Sequence, residues 1–167
     1  ADPISMAVQA NNNSITKLDD IKGKKVAVVS GTTGEQLIRK LNASNDYDVD
    51  VVLAKDYPQA LLMLSQGRVD FVSTNSVLLN GEIAKLADKA KYKVLNVRMA
   101  EPGVIGIMYP NHDPELTAIV KGAMSKMKAD GRLDRLHNKW FNEPLHNGIN
   151  LKMTWTRELR DIVWSEK

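Results

Sequence analysis

The sequence contains no cysteine. Disulfides, thiolate metal sites and a cysteine nucleophile are therefore excluded. This absence suits the periplasm and the cytosol equally and does not choose between them. Aromatic residues are scarce, at 5%. The 23 basic residues are spread along the chain and nearly balanced by 20 acidic ones, for a net charge of +3. Neither feature forms the concentrated basic stripe of a nucleic-acid binder, and no nucleic-acid partner is expected. No apolar run approaches the length of a membrane span. No signal-peptide pattern opens the chain. Residues 1–3, Ala-Asp-Pro, read as a cloning remnant, which is compatible with a targeting segment removed upstream.

What is present is the composition of a globular protein. Its 167 residues are 43% apolar and 26% charged, enough for one domain with a real core or for two small lobes. Ile4 to Val8 read as a short strand, and the three asparagines before Ser14 as a polar loop. "SITKLDDIKGKK" has the form of a short helix that Gly23 can stop. "KVAVVS" is a continuous apolar run, as expected of a strand covered on both faces. Helix and strand patterns then alternate. "VDVVLAK", "VDFVSTN" and "YKVLNVRM" read as strands. The stretch after Gly34, "YPQALLMLSQGR" and "SVLLNGEIAKLADKA" read as helices. This alternation predicts an α/β lobe with a largely parallel sheet flanked by helices. "GVIGIMYP" reads as one more strand. "DPELTAIVKGAMSKMKADG", with Asp113 as N-cap and Pro114 at the first position, reads as a helix, followed by a second in "RLDRLHNKWF" and a helical piece around "TRELRDIVW".

Ligands of such sheets sit beyond the carboxyl ends of the strands, where helices begin. Ser30-Gly31-Thr32-Thr33-Gly34 occupies that place. A helix start leaves N–H groups unpaired and favours an anion. Gly31 and Gly34 would let a ligand approach the backbone, and Ser30, Thr32 and Thr33 add hydroxyls. The turn lacks the lysine of a Walker A loop and is not G-x-G-x-x-G. A plain threonine-capped loop explains it as well. Ser73, Thr74, Asn75 and Ser76 follow another strand end, and Lys55, Asp56 and Tyr57 make a third polar turn on the same edge. His112, His137 and His146 are not spaced as metal ligands and read as solvated or half-buried. No metal, cofactor or catalytic residue is expected. Glu35, the acid nearest the turn, serves the helix dipole.

Three stretches resemble the periplasmic amino-acid-binding proteins of ABC transporters, solute-binding protein family 3, which have the type II periplasmic-binding fold. They are "SITKLDDIKGKKVAVVSGTTGEQLIRKL", "YPQALLMLSQGRVDFVSTNSVLL" and "DPELTAIVKGAMSKMKADGRLDRLHNKWF". The resemblance covers about residues 4 to 142 in the family's order, and "SGTTGEQLIRKLN…KD…GEIAK" looks most like the glutamate/aspartate-binding branch. It implies a two-lobed clamp joined by two strands, without enzymatic activity. Residues 4–13 would hold the first hinge strand and its loop, 14–103 lobe two, and 104–110 the second hinge strand. Residues 111–142 would be helices that normally complete the other lobe, and 143–167 a tail. Most of lobe one would be lacking. Thr32 and Thr33 would meet a ligand carboxylate and Tyr57 would line the cleft, at a position where the branch tends to have histidine. Asn75 would stand where the family usually has an acid for the ligand ammonium. Ser30 and Ser73 are further candidates.

The implied partners are a small carboxylate-bearing solute, amino-acid-like, and an ABC permease. The implied location is periplasmic, surface-anchored or secreted. A sensing or protein-interaction module of the same fold is the alternative. With lobe one lacking, the apolar residues Leu133, Leu136, Trp140 and Phe141 would need cover, either on the lone lobe or by segment exchange in a homodimer.

Overall fold

The computed structural model describes residues 3–45, 47–100, 106–110, 112–145 and 148–164. The chain divides into two units, residues 2–104 and 105–167.

In the first unit the apolar runs form strands, and most of the helical stretches form helices. The order is β1 (Ile4–Gln9), β2 (Lys25–Val29), α1 (Thr33–Asn45), β3 (Asp50–Ala54), α2 (Tyr57–Ser65), β4 (Phe71–Asn75), α3 (Ser76–Ala84) and β5 (Tyr92–Val94). They build a five-stranded sheet in the order β3-β2-β4-β1-β5. β2 pairs in parallel with β3 and with β4. β1 runs antiparallel between β4 and β5, with Ile4 opposite Asn75 and Gln9 opposite Tyr92. The sheet is thus mixed. Direction is not encoded in an apolar run, and β1 has no crossover helix to a neighbouring strand, so it is free to enter against the others.

Because side chains alternate along a strand, each central run feeds two cores at once. Met6, Val8, Val26, Val28 and Phe71 pack on one face with Ile38 and Leu41 of α1. Ala7, Ala27 and Val72 pack on the other with Leu61 and Leu64 of α2 and Leu79 of α3. This is why the runs read as continuously apolar rather than alternating.

Three elements are shorter than the sequence predicts. The helix expected at "SITKLDDIKGKK" is one 3-10 turn, Leu18–Ile21. The Asp20 carboxylate accepts the amides of Thr16 and Lys17 at 2.8 and 3.0 Å, so the segment closes on itself instead of propagating. The third helix stops at Ala84, and Lys89–Lys91 form a separate 3-10 turn. The strand expected over "YKVLNVRM" ends at Val94. The chain still follows β1, since Leu95 donates its N–H to Met6 and Met99 to Ile4, at 2.8 and 3.0 Å. Two more residues lie between these bonds on one side than on the other, and that surplus breaks the ladder.

In the second unit Asp113 caps α4 (Pro114–Ala129), its carboxylate accepting the Leu116 N–H at 2.8 Å. Gly131, at φ +73°, turns the chain into α5 (Arg132–His137). A π-helical turn, Asn138–Asn142, and α6 (Arg157–Trp164) follow. The strand expected over "GVIGIMYP" is not formed at residues 106–110, where the backbone has no ladder partner. Gly103, Val104 and Ile105 lie outside the described residues, as does His146. Among the described residues, the buried hydrophobic side chains all lie between Met6 and Met99. Helices without a core of their own are marginal in water. The second unit is held instead by an aromatic stack. His137 lies between Phe141 (4.9 Å) and Trp155 (4.2 Å), and Trp155 meets Trp164 edge-on at 5.2 Å.

Burial in this stack pushes the His137 imidazole below its ordinary pKa. Asp134 opposes that shift and Arg160 adds to it. A histidine depressed in the folded state binds fewer protons than in the unfolded chain. Its contribution is whole above the ordinary imidazole value and is lost as pH falls through the lower folded value. The near-UV circular dichroism of the tryptophans should therefore decline between pH 7.5 and about 5. The His137→Phe variant should show no such decline.

Candidate functional site

β2, β3 and β4 run in parallel, so their carboxyl ends share one edge. Three turns into helices meet there.

In the first, Gly31 adopts φ +77°, a left-handed conformation that glycine takes without strain. The Thr32 hydroxyl donates to the Val29 carbonyl at 2.7 Å and accepts the Glu35 N–H at 3.4 Å. Glu35 reaches back and accepts the Gly31 N–H at 2.8 Å, and Arg39 pairs with its other oxygen at 2.8 Å. Thr32 thus caps the helix, and Glu35 closes the turn through the residue before the cap. The Gly31 amide bond, and secondarily Arg39, hold the Glu35 carboxyl below its ordinary pKa. The N–H groups of Thr33 and Gly34 have no acceptor among the described residues. They lie at the positive end of the α1 dipole, together with the Thr33 hydroxyl. Ser30 stands at the end of β2, its amide tied to Ala54 of β3 at 3.3 Å.

The second turn is also a reciprocal cap. Asp56 accepts the Gln59 N–H at 2.8 Å and Gln59 accepts the Lys55 N–H at 2.6 Å. Tyr57, the first residue of α2, is half-buried and reaches across to β4, its hydroxyl 3.1 Å from Thr74 Oγ1. In the third turn Asn75 is half-buried at the N-cap position of α3, with no side-chain bond to that helix start.

The contact between the first and third turns is made by Gly34. A Cβ on Gly34 would lie 2.7 Å from the Ser73 carbonyl oxygen. The sequence predicts this glycine to admit a ligand; the structure fills the space with the backbone of β4. The edge therefore brings together Thr33, Gly34, Tyr57, Thr74 and Asn75. Two candidates point elsewhere. The Thr32 hydroxyl is spent on the cap, and Ser73 is 0% exposed with its hydroxyl on Met99 Sδ at 3.3 Å. Thr74, 1% exposed, is the residue that sequence reasoning passes over as a capping neighbour. The period of two along β4, which puts Ser73 and Thr74 on opposite faces, was the available signal. Among the described residues no group of three or more His, Asp or Glu could hold a metal ion.

The model of the bacterial extracellular solute-binding proteins, family 3, matches residues 3–143. The chain belongs to this family. Among its relatives as a family 3 protein, the L-glutamate/L-aspartate-binding protein of Pseudomonas aeruginosa is 31% identical. That match spans 91% of this chain and 50% of the relative. The glutamate/aspartate import solute-binding protein of Salmonella typhimurium is 27% identical, over 89% of this chain and 49% of the relative. The family 3 chain thus spans about half the length of these curated relatives. Among solved structures, an ancestral arginine-binding protein bound to arginine is 32% identical with a TM-score of 0.68. The match covers 84% of this chain and 61% of that one. A probable amino-acid ABC transporter extracellular-binding protein from Bacillus subtilis has a TM-score of 0.71 over 86% of this chain and 61% of its own. At 21% identity it shows the periplasmic-binding fold alone.

Two outcomes follow from the geometry. Gly34→Ala places a methyl against immovable backbone and should destabilise the chain by about 1–3 kcal/mol in urea unfolding. Glu35 has a depressed pKa, so its contribution is present above the ordinary carboxyl value and is lost as pH falls through the folded one. Glu35→Gln should accordingly flatten the acid limb of the stability–pH curve below about pH 5.

Proposed function

We propose that this chain is the solute-binding component of an ABC importer, or its second lobe, and that it binds a small amino-acid-like carboxylate by cleft closure. Residues 14–103 form the binding lobe in this reading. Residues 4–13 and 104–110 are its hinges, 111–142 the helices that return to the other lobe, and 143–167 the tail. One observation carries the proposal. The N–H groups of Thr33 and Gly34, which have no acceptor among the described residues, lie at the same edge as Tyr57 and Asn75. Thr33 and Gly34 bind the ligand carboxylate, supported by the helix dipole. Thr32 shapes that turn, Ser30 forms its rim, and Ser73 supports β4 from beneath. Asn75 and Tyr57 contact the remainder of the ligand. The names of the relatives, all binding proteins, support this reading over a catalytic one. An ABC permease is the expected membrane partner and the periplasm, or the outer cell surface, the expected location.

A second reading is a sensing or protein-interaction module. It is favoured by the exposed apolar side chains of the second unit, with Leu136 43% and Trp140 54% exposed. Segment exchange between two copies would cover them, and sedimentation would then show a dimer.

A thermal-shift panel of amino acids, dicarboxylates and small organic acids separates the two. A ligand that binds only the folded state, at about 100 times its Kd, adds about 2.7 kcal/mol. For a chain of this size that raises Tm by several degrees. A shift with amino acids is the expected result. A flat panel together with a dimer would favour the interaction module.

A further inference from the structure

The Tyr57–Thr74 pair has a polarity that its surroundings fix. A threonine hydroxyl carries one proton and can also accept. Thr74 Oγ1 is buried, and its one hydrogen bond among the described residues is to the Tyr57 hydroxyl at 3.1 Å. If Tyr57 donated, the Thr74 proton would be left buried without an acceptor, which costs more than any alternative at this position. If Thr74 donates, its proton is satisfied and the Tyr57 oxygen accepts. Tyr57 is half-buried rather than enclosed, so its own proton has somewhere to go, to water or to a ligand.

We infer that Thr74 is a positioning residue that fixes Tyr57 as an outward hydrogen-bond donor, so that the site takes a ligand group bearing an acceptor oxygen there. This rests on the solute-binding reading and narrows it. A carboxylate or an amide carbonyl accepts from Tyr57. A guanidinium or ammonium has no lone pair to offer and meets a donor with a donor. The groups of the first turn agree in sign, and Asp56, the carboxylate before Tyr57, is engaged by the Gln59 N–H. The N–H groups of Thr33 and Gly34 are donors held at a helix start, and the one carboxylate at that turn, Glu35, is already engaged by Gly31 and Arg39. Thr74 does not itself touch the ligand. It acts through Tyr57, from the face of β4 opposite Ser73.

Isothermal titration of the full chain with L-glutamine, L-glutamate and L-arginine tests the specificity. Glutamine or glutamate should bind at least about ten-fold more tightly than arginine. Thr74→Val should weaken the oxygen-bearing ligand by about five- to ten-fold, while Thr74→Ser, which keeps the hydroxyl, stays within about two-fold. Tyr57→Phe should show a similar loss, and the double variant no further loss, because both remove the same interaction. Arginine as the tightest ligand, or losses that add, would overturn the inference. The bond is also read without any ligand. In chains carrying tyrosine labelled at Cζ, the Tyr57 resonance should move in Thr74→Val and return in Thr74→Ser. An unmoved resonance overturns the positioning role. Silence from all three ligands in the native chain would instead remove the solute-binding reading and the specificity drawn from it, with the resonance still deciding the hydrogen bond.

Discussion

The contact on which the candidate site depends is the seat of α1 on the end of β4. The first turn of a helix and the last residues of a strand approach so closely at Gly34 that no Cβ fits between them. That approach sets the first turn of α1 beside Ser73 and Thr74, and the Thr74 hydroxyl in turn meets Tyr57, arriving from α2. The glycine is required by packing between two backbones. The anion-friendly geometry is a consequence of that packing, since a helix start so placed cannot turn its amides elsewhere.

The seat in turn relies on a sheet that is dry on both sides. β2, β4 and β1 are central strands, and their apolar runs divide residue by residue between two cores. The antiparallel entry of β1 matters here. It brings the start of the chain to the carboxyl edge of β4, where Ser76 donates its N–H to Pro3 at 3.0 Å and Ile4 stands opposite Asn75. The site edge is therefore braced from one side by α1 and from the other by β1.

Most of the first unit was legible in the sequence, because hydrophobic periodicity and capping chemistry act locally. In the second unit, Asp113 and the proline after it form the cap that the sequence predicts, and in the first Asp56 caps α2 as its residue type allows. Strand direction was not legible, because it depends on which neighbours a strand finds. Nor was the shortening of β5, which arises from a two-residue surplus against β1. Within the site, the type of turn was legible and the allocation of its hydrogen bonds was not. A threonine at a helix start offers a hydroxyl either to a ligand or to its own helix, and the sequence cannot say which. Thr32 spends its hydroxyl on Val29 and Glu35, whereas Thr33 does not. Ser73 and Thr74 are adjacent and chemically alike, yet the period of two gives one to Met99 and the other to Tyr57. The strand expected in "GVIGIMYP" fails at residues 106–110 because an apolar run specifies burial only where a partner surface exists.

At the first turn the electrostatics favour an anion, with no fixed cation in direct contact among the described residues. Carboxylates near the turns are internally committed, Glu35 to Gly31 and Arg39, and Asp56 to the amide of Gln59. Glu35 is compensated by Arg39, whereas Asp56, bonded to a neutral amide, keeps its charge at the second turn. What remains are neutral donors and a helix dipole, with the exposed Lys55 in the adjoining turn. Neutral donors hold a carboxylate more weakly than a bidentate guanidinium does, and a dipole attracts most strongly where water is excluded. An edge built in this way gains affinity steeply once a second surface covers it. That dependence is a property of the donors themselves. In the proposed solute-binding reading, closure over the edge would add to the hold of these donors by excluding water.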